Sequence, residues 1–322
     1  MDYSQILSQQ FNIKEEYAKN IITLLDDGNT IPFIARYRKE MHGSMDDQLI
    51  REFAEKLEYL RGLDKRRDEI RSLIDAQEKL TDEINLALDK AATLSELEDI
   101  YRPYRPKRKT RASIAKEKGL EPLANNILKQ EKGFDPSKSA VDYIDEEKGV
   151  TSVEDAIQGA MDIIAELVSD NAEIRKRIRN LTNANGVLVS VATDEEKDSV
   201  YKNYYDYKEP VKKIAGHRVL AVNRGEKEGF LKVSVETDSE KPLNSIFRAM
   251  ITDKNQLCSD IIREACTDAY QRLIYPSIER EVRNDLTDTA SENAMKVFAV
   301  NLKQLLMQPP VKGKTVLALN PG

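Results

Sequence analysis

One apolar stripe limits the architecture of this 322-residue chain more than anything else in it. Leu49, Phe53, Leu57, Leu60, Leu63, Ile70 and Ile74 recur at intervals of three, four or seven, with Arg67 as an interruption. That spacing lines one face of a helix and is incompatible with the two-residue alternation of a half-buried strand. Ser44 stands as its cap, and Asp46 and Asp47 fall in the first turn, where the helix dipole favours anions. A helix of this length acts as a strut, so the chain is expected to build around helices. Only 13 Gly and 11 Pro are spread over the sequence, which favours long helices over a many-stranded sheet.

Further boundary signals lie on both sides. Thr30 followed by Ile31 and Pro32 predicts a helix start, and that helix runs to Gly43. Thr81 and Ser95 open two more, Ser95 with Glu98 forming a capping box. Shorter helices follow between Leu120 and Leu181. The stretch 151–170 carries Val153, Ile157, Met161 or Ala160, Ile164 and Val168 along one stripe. The next helix sets Arg175, Lys176, Arg177 and Arg179 beside Ile174, Ile178 and Leu181, an arrangement similar to a helix-turn-helix. Residues 217–236 predict an antiparallel β-hairpin, with Leu231, Val233 and Val235 alternating with polar residues, and 186–191 adds a short strand. Helix returns at Pro242 and dominates to Gln308, with a kink or boundary at Pro276. The final "PPVKGKTVLALNPG" predicts a lone first strand, so the chain is expected to be cut at the start of a further domain.

Charge is distributed unevenly. From Ile100 to Lys118 there are eight Lys or Arg against one acid, so the net −6 comprises about +7 here and −13 elsewhere. Arg102, Arg105, Lys107, Arg108, Lys109 and Arg111 fall within ten residues. Pro103 and Pro106 are expected to hold this backbone extended and out of regular helix. A short cationic segment on an anionic body suits an anion such as nucleic-acid phosphate. Tyr101 and Tyr104 flank Arg102, and are read either as base-stacking rings or as anchors tying the loop to the helical body. Tyr201, Tyr204, Tyr205 and Tyr207 pose the same choice.

Catalytic signatures are missing from the sequence: it has no Gly-rich phosphate loop, no GxSxG turn and no HExxH pair. Cys258 and Cys266, far from His42 and His217, read as buried reduced thiols, and no cofactor or metal is expected. The N-terminal residues have neither the cations nor the apolar run of a signal peptide, and no window is apolar enough for a membrane span. A cytoplasmic protein is expected.

Five segments together carry a resemblance: "TIPFIARYRKE" (30–40), "LEDIYRPYRPKRKTRASIAKEKGLEPLA" (97–124), "HRVLAVNRGEKEGFLKV" (217–233), "YPSIEREVRNDLT" (275–287) and "NLKQLLMQPPVKGKTVLALNPG" (301–322). In order and spacing, from about Tyr17 to Gly322, they resemble the bacterial Tex family of transcription accessory proteins, similar in architecture to a eukaryotic elongation factor that travels with RNA polymerase. The resemblance implies a mainly α fold: a multi-helix platform with an inserted helix-turn-helix-like domain and a small antiparallel β-hairpin. The boundaries so implied are 1–118 for the N-terminal helical region, 119–185 for the helix-turn-helix-like domain, 186–312 for the hairpin and long helices, and 313–322 for the first strand of an RNase H-like domain of the YqgF type. Helix-hairpin-helix units and an OB-fold RNA-binding domain follow in the family. Asn320 stands where that strand usually carries Asp, and Asn lacks the charge to hold Mg²⁺ tightly. The function implied is a non-catalytic fragment of a nucleic-acid-binding transcription factor. Its phosphate contacts would be Arg102, Arg105, Lys107, Arg108, Lys109 and Arg111, with Arg175, Lys176, Arg177 and Arg179 as an auxiliary surface. The alternative is a protein–protein scaffold docking on RNA polymerase or ribosome-associated proteins.

Overall fold

The computed structural model describes residues 2–106, 109–252, 254–309, 312–315 and 317–318. It divides into two compact units, 1–107 and 108–322.

The first unit is helical among its described residues: α1 (Tyr3–Phe11), α2 (Glu15–Asp26), α3 (Ile31–Tyr37), α4 (Lys39–His42), α5 (Asp47–Asp75), α6 (Asp82–Lys90) and α7 (Leu94–Tyr101). The long stripe is α5. At 29 residues it extends for about 43 Å. Its N-terminal half packs Ile50, Phe53, Leu57 and Leu60 against Leu7, Ile21 and Ile34. Its C-terminal half packs Leu63, Ile70 and Ile74 against Leu88, Leu97 and Tyr101. Arg67, the interruption, is buried. Its Nε donates to the Leu88 carbonyl at 2.9 Å and Nη2 to that of Ala91 at 3.0 Å, while Nη1 meets Asp64. A cation thus caps carbonyls at the end of α6.

Two expected caps are displaced. Asp46, not Ser44, accepts the Leu49 N–H at 2.8 Å. Ser44 takes a left-handed φ of 62° just after the chain leaves α4. Thr93, not Ser95, caps α7 by accepting from Glu96 N, and Glu96 accepts in turn from Ala92 N. The helix starts two residues earlier than the Ser95 signal suggested.

The second unit holds α8 (Arg111–Glu117), α9 (Glu121–Lys129), α10 (Pro136–Ala140), α11 (Val153–Asp170), α12 (Ala172–Asn185), β1 (Val187–Ala192), β2 (Asp206–Pro210), α13 (Gly216–Lys227), β3 (Leu231–Glu236), α14 (Glu240–Met250), α15 (Gln256–Asp268) and α16 (Tyr275–Leu306). Helices on both sides of the expected 185/186 boundary share one core. Ala160, Ile164 and Val168 of α11 belong to the same cluster as Ile262 and Cys266 of α15 and Ile278 and Val282 of α16. Both cysteines are buried and not joined in a disulfide.

The sheet is antiparallel with order β2-β1-β3. Residues 217–227 are the correction: they form helix α13, not the first arm of a hairpin. Val219, Val222 and Gly225 recur every three residues and form its buried face. A short apolar run of this kind fits a helix or a strand until a neighbour decides. Here the partner of β3 is β1, with Val189 opposite Ser234, and α13 lies against the sheet. Gly225 permits the close approach, since a Cβ there would sit 2.5 Å from Leu231 Cδ1. Between α15 and α16 the expected break is a π-helical turn at Ala269–Ile274, directly before Pro276 in the first turn of α16.

No strand occurs among the described residues of 313–322. Val316, Leu319 and Asn320, on which the expectation of a first strand and its altered acid rests, lie outside the described residues.

Candidate nucleic-acid interface

The basic segment begins where α7 ends. Tyr101 closes the helix, buried among Leu97, Ile74 and Leu88, with the Arg66 guanidinium 5.8 Å from its ring centre. Residues Arg102–Tyr104 then form a 3-10 turn. Proline's fixed φ is compatible with a helical first turn, and Arg102 stays helical at φ −51°, ψ −43°. The extended backbone expected from Pro103 onward therefore starts only at Arg105, whose φ −67° and ψ 134° are what a following proline imposes. Gln77 Nε2 donates to the Tyr104 carbonyl at 2.9 Å, and the Tyr104 ring packs on the same core as Tyr101. Both tyrosines are anchors. They fix the exit of the chain and leave Arg105 exposed and Arg102 half-buried.

Lys107 and Arg108 lie outside the described residues. In the second unit the segment resumes at Lys109 and closes in a capping box. Thr110 Oγ1 accepts from Ser113 N at 3.0 Å while Ser113 Oγ accepts from Thr110 N at 2.8 Å. This reciprocal pair holds the start of α8, so Arg111 projects from its first turn, exposed. Lys109 pairs with Glu117 at 3.2 Å, both side chains well exposed. Such a pair contributes about 1 kcal/mol at most and yields readily to a phosphate. Gly119 takes a φ of 84° at the far end of α8, the left-handed conformation that a helix C-terminus favours glycine for.

Arg111 also borders a cleft of about 230 Å³ that the sequence did not foretell. Lys118, Gly149, Asp155, Gln158 and Asp162 line it, brought together because α11 lies across α8. Lys118 Nζ donates to the Gly149 carbonyl at 2.7 Å. Burial pushes the Asp162 carboxyl above the usual carboxylate range, and Arg272 and then Arg111 oppose that shift. The only signal for this cleft was the excess of cations continuing to Lys118.

The auxiliary cations divide. Arg175, 1% exposed, donates through Nη2 to Glu281 Oε1 at 2.7 Å and to Ser277 Oγ at 3.1 Å. Arg179, also buried, donates through Nε to Glu281 Oε2 at 2.9 Å. These two guanidinium groups clamp α12 to α16 and are not a phosphate-facing surface. At i and i+4 they share the helix face of Ile174 and Ile178, whereas Lys176 and Arg177 stay outside. Tyr201, Tyr204 and Tyr205 before β2, and Tyr207 within it, pack on the sheet core. Tyr201 is buried, and Tyr204 and Tyr207 meet edge to face with ring centres 5.2 Å apart.

No cluster of three His, Cys, Asp or Glu able to hold a metal exists among the described residues. No helix of the described residues is long and apolar enough to cross a membrane.

A family model described as "Tex central region-like" matches residues 131–298, just over half of the chain. The chain belongs to the Tex family. A second model, "Tex-like protein N-terminal domain", matches residues 1–75. Over its whole length the chain is 44% identical to the uncharacterized protein YdcI of Bacillus subtilis, covering 46% of that protein. It is 36% identical to protein tex of Bordetella pertussis, covering 43% of it. It is 31% identical to the human S1 RNA-binding domain-containing protein 1, covering 34%. The chain thus spans less than half the length of these Tex relatives.

Proposed function

We propose that this chain is the helical, non-catalytic scaffold of a cytoplasmic Tex-type transcription accessory factor, and that it contributes a basic loop contacting nucleic-acid phosphates. One observation carries the reading: six cations fall within ten residues of a chain with a net charge of −6. Arg105, Lys109 and Arg111 are exposed, and the residues around them are fixed by proline, a capping box and two tyrosine anchors. The names of the Bordetella pertussis relative, protein tex, and of the human relative, S1 RNA-binding domain-containing protein 1, support the same class of partner. Phosphate contacts of this kind position a nucleic acid without reading its sequence.

The test is a titration with single- and double-stranded oligonucleotides at two salt concentrations. If three or four of Arg102, Arg105, Lys107, Arg108, Lys109 and Arg111 touch phosphates at once, log affinity against log salt has a slope of about −2 to −4. Charge reversal of Lys107, Arg108 and Lys109 then lowers affinity equally for all sequences and flattens the slope. Affinity and slope both unchanged would reduce the segment to a connector.

A second reading, docking on the transcription machinery through protein contacts, draws on the distal half of α16. There Met295, Val297, Phe298, Val300, Leu305 and Leu306 are all exposed. Single apolar side chains on a surface are ordinary, but a contiguous run is a feature of interaction sites.

A further inference from the structure

The short helix α3 carries an arrangement that the packing of its own unit does not use. Its inward face is complete with Ile31, Ile34 and Ala35, which join the core around Ile21 and Phe53. Phe33 and Tyr37, one turn apart, are left on the opposite side, with Tyr37 63% exposed. Their ring centres lie 5.3 Å apart at 44°. Arg38 follows the helix, and its guanidinium carbon sits 5.2 Å from the Phe33 centroid while Nη1 donates to the Tyr37 carbonyl at 3.2 Å. One cation is thus already laid over one ring, and the exposed Tyr37 ring remains open beside it.

The cations around these rings contrast with four arginines of α5. Arg61, Arg66, Arg67 and Arg71 of α5 all hold carboxylates. Arg36, Arg38 and Lys39 form no ion pair among the described residues, although the chain has more acids than bases. Two outward aromatics interleaved with three unneutralised cations match the needs of an unpaired nucleotide. The base stacks on a ring and the backbone meets the cations. A duplex keeps its bases inside the stack and gains only the charge.

We infer that Tyr37, with Phe33 beneath it and Arg36, Arg38 and Lys39 around it, is a base-stacking site for a single-stranded nucleic acid, separate in sequence from the basic segment at 102–111. The site rests on the nucleic-acid reading above and adds base contacts to phosphate contacts.

The experiment uses the 322-residue chain and a short oligo(U) RNA, with a duplex of equal length as control. Loss of one stacking partner corresponds to about a 5- to 10-fold loss of affinity, at the lower end of base–aromatic stacking. Tyr37→Ala should therefore weaken oligo(U) binding by that factor, with duplex affinity, salt slope and melting temperature unchanged. Tyr37→Phe keeps the ring and should restore binding. Photocrosslinking with 4-thiouridine in the oligo should place the adduct in the peptide 17–40 released by cleavage after glutamate. Wild-type affinity in Tyr37→Ala, or an adduct outside that peptide, overturns this site. If charge reversal at 107–109 still flattens the salt slope in that case, the phosphate reading survives without it. If the chain binds no oligonucleotide at all, both readings fall.

Discussion

Replacing Glu281 with alanine removes a carboxylate of α16 that two buried arginines of α12 both hold. Arg175 Nη2 and Arg179 Nε and Nη2 all lie within 2.7–2.9 Å of its oxygens. Arg175 is 1% exposed and cannot regain water without parting the helices. Breaking a buried ion pair from one side costs about 3–5 kcal/mol, because the remaining charge stays desolvated. The Glu281 side chain is 29% exposed, which sets the expectation at the lower end, about 3 kcal/mol. For a unit of this size the melting midpoint should fall by about 6–12 °C, at 2–4 °C per kcal/mol. Denaturant unfolding followed by far-UV CD gives the free energy directly. A double-mutant cycle isolates the pair: Arg175→Met alone and Glu281→Met alone should each destabilise, and the combination by clearly less than their sum. Arg175→Ser should likewise lower stability, the reverse of what a solvent-facing phosphate ligand would do. A loss below 1 kcal/mol for Glu281→Ala would mean that the clamp is not a structural tie and would return Arg175 and Arg179 to the candidate interface.

Asp162 titrates above the usual range because it is buried, so the folded state binds its proton more tightly than the unfolded chain does. Its ionisation therefore costs stability at neutral pH, and that cost disappears as pH falls through its folded pKa toward the unfolded value. Asp162→Asn should leave the melting midpoint at pH 7 unchanged or higher, with the difference from wild type shrinking as the pH is lowered through the acid range; a large loss at pH 7 would show that Asp162 is a needed partner of Arg272. Burial pushes the Cys266 thiol up to about 12. In native protein it should resist thiol reagents at pH 8 and react only with unfolding, which mass-resolved alkylation would detect. Phe298→Ser with Leu305→Ser on the exposed end of α16 should change stability by less than about 0.5 kcal/mol, measured by the same denaturant titration, since neither side chain is in the core.

The reach of sequence reasoning followed the range of the interactions involved. Local physics was legible: the stripe from Leu49 to Ile74 is a helix because its period is 3.6, Thr81 caps because its hydroxyl meets the Ile84 N–H three residues on, and Gly119 ends α8 because it alone accepts positive φ cheaply. The six-cation segment was equally visible, since charge density is additive along the chain. Two caps each lay two residues away from the expected position, at Asp46 and Thr93, because several short polar residues compete for each helix start; the larger failures all depend on a distant neighbour. Arg175 and Arg179 read as a wet basic face until Glu281, about a hundred residues later, was placed opposite them. Residues 217–223 read as strand until β1 took β3 as its partner and left them to cover the sheet. Arg67 looked like an interruption until the end of α6 supplied carbonyls for it. Period and charge are properties of neighbouring residues, so the helical class and the cationic segment could be read without the fold. Which polar groups are desolvated, and by whom, depends on contacts closed over long loops, which exist only once the chain is folded.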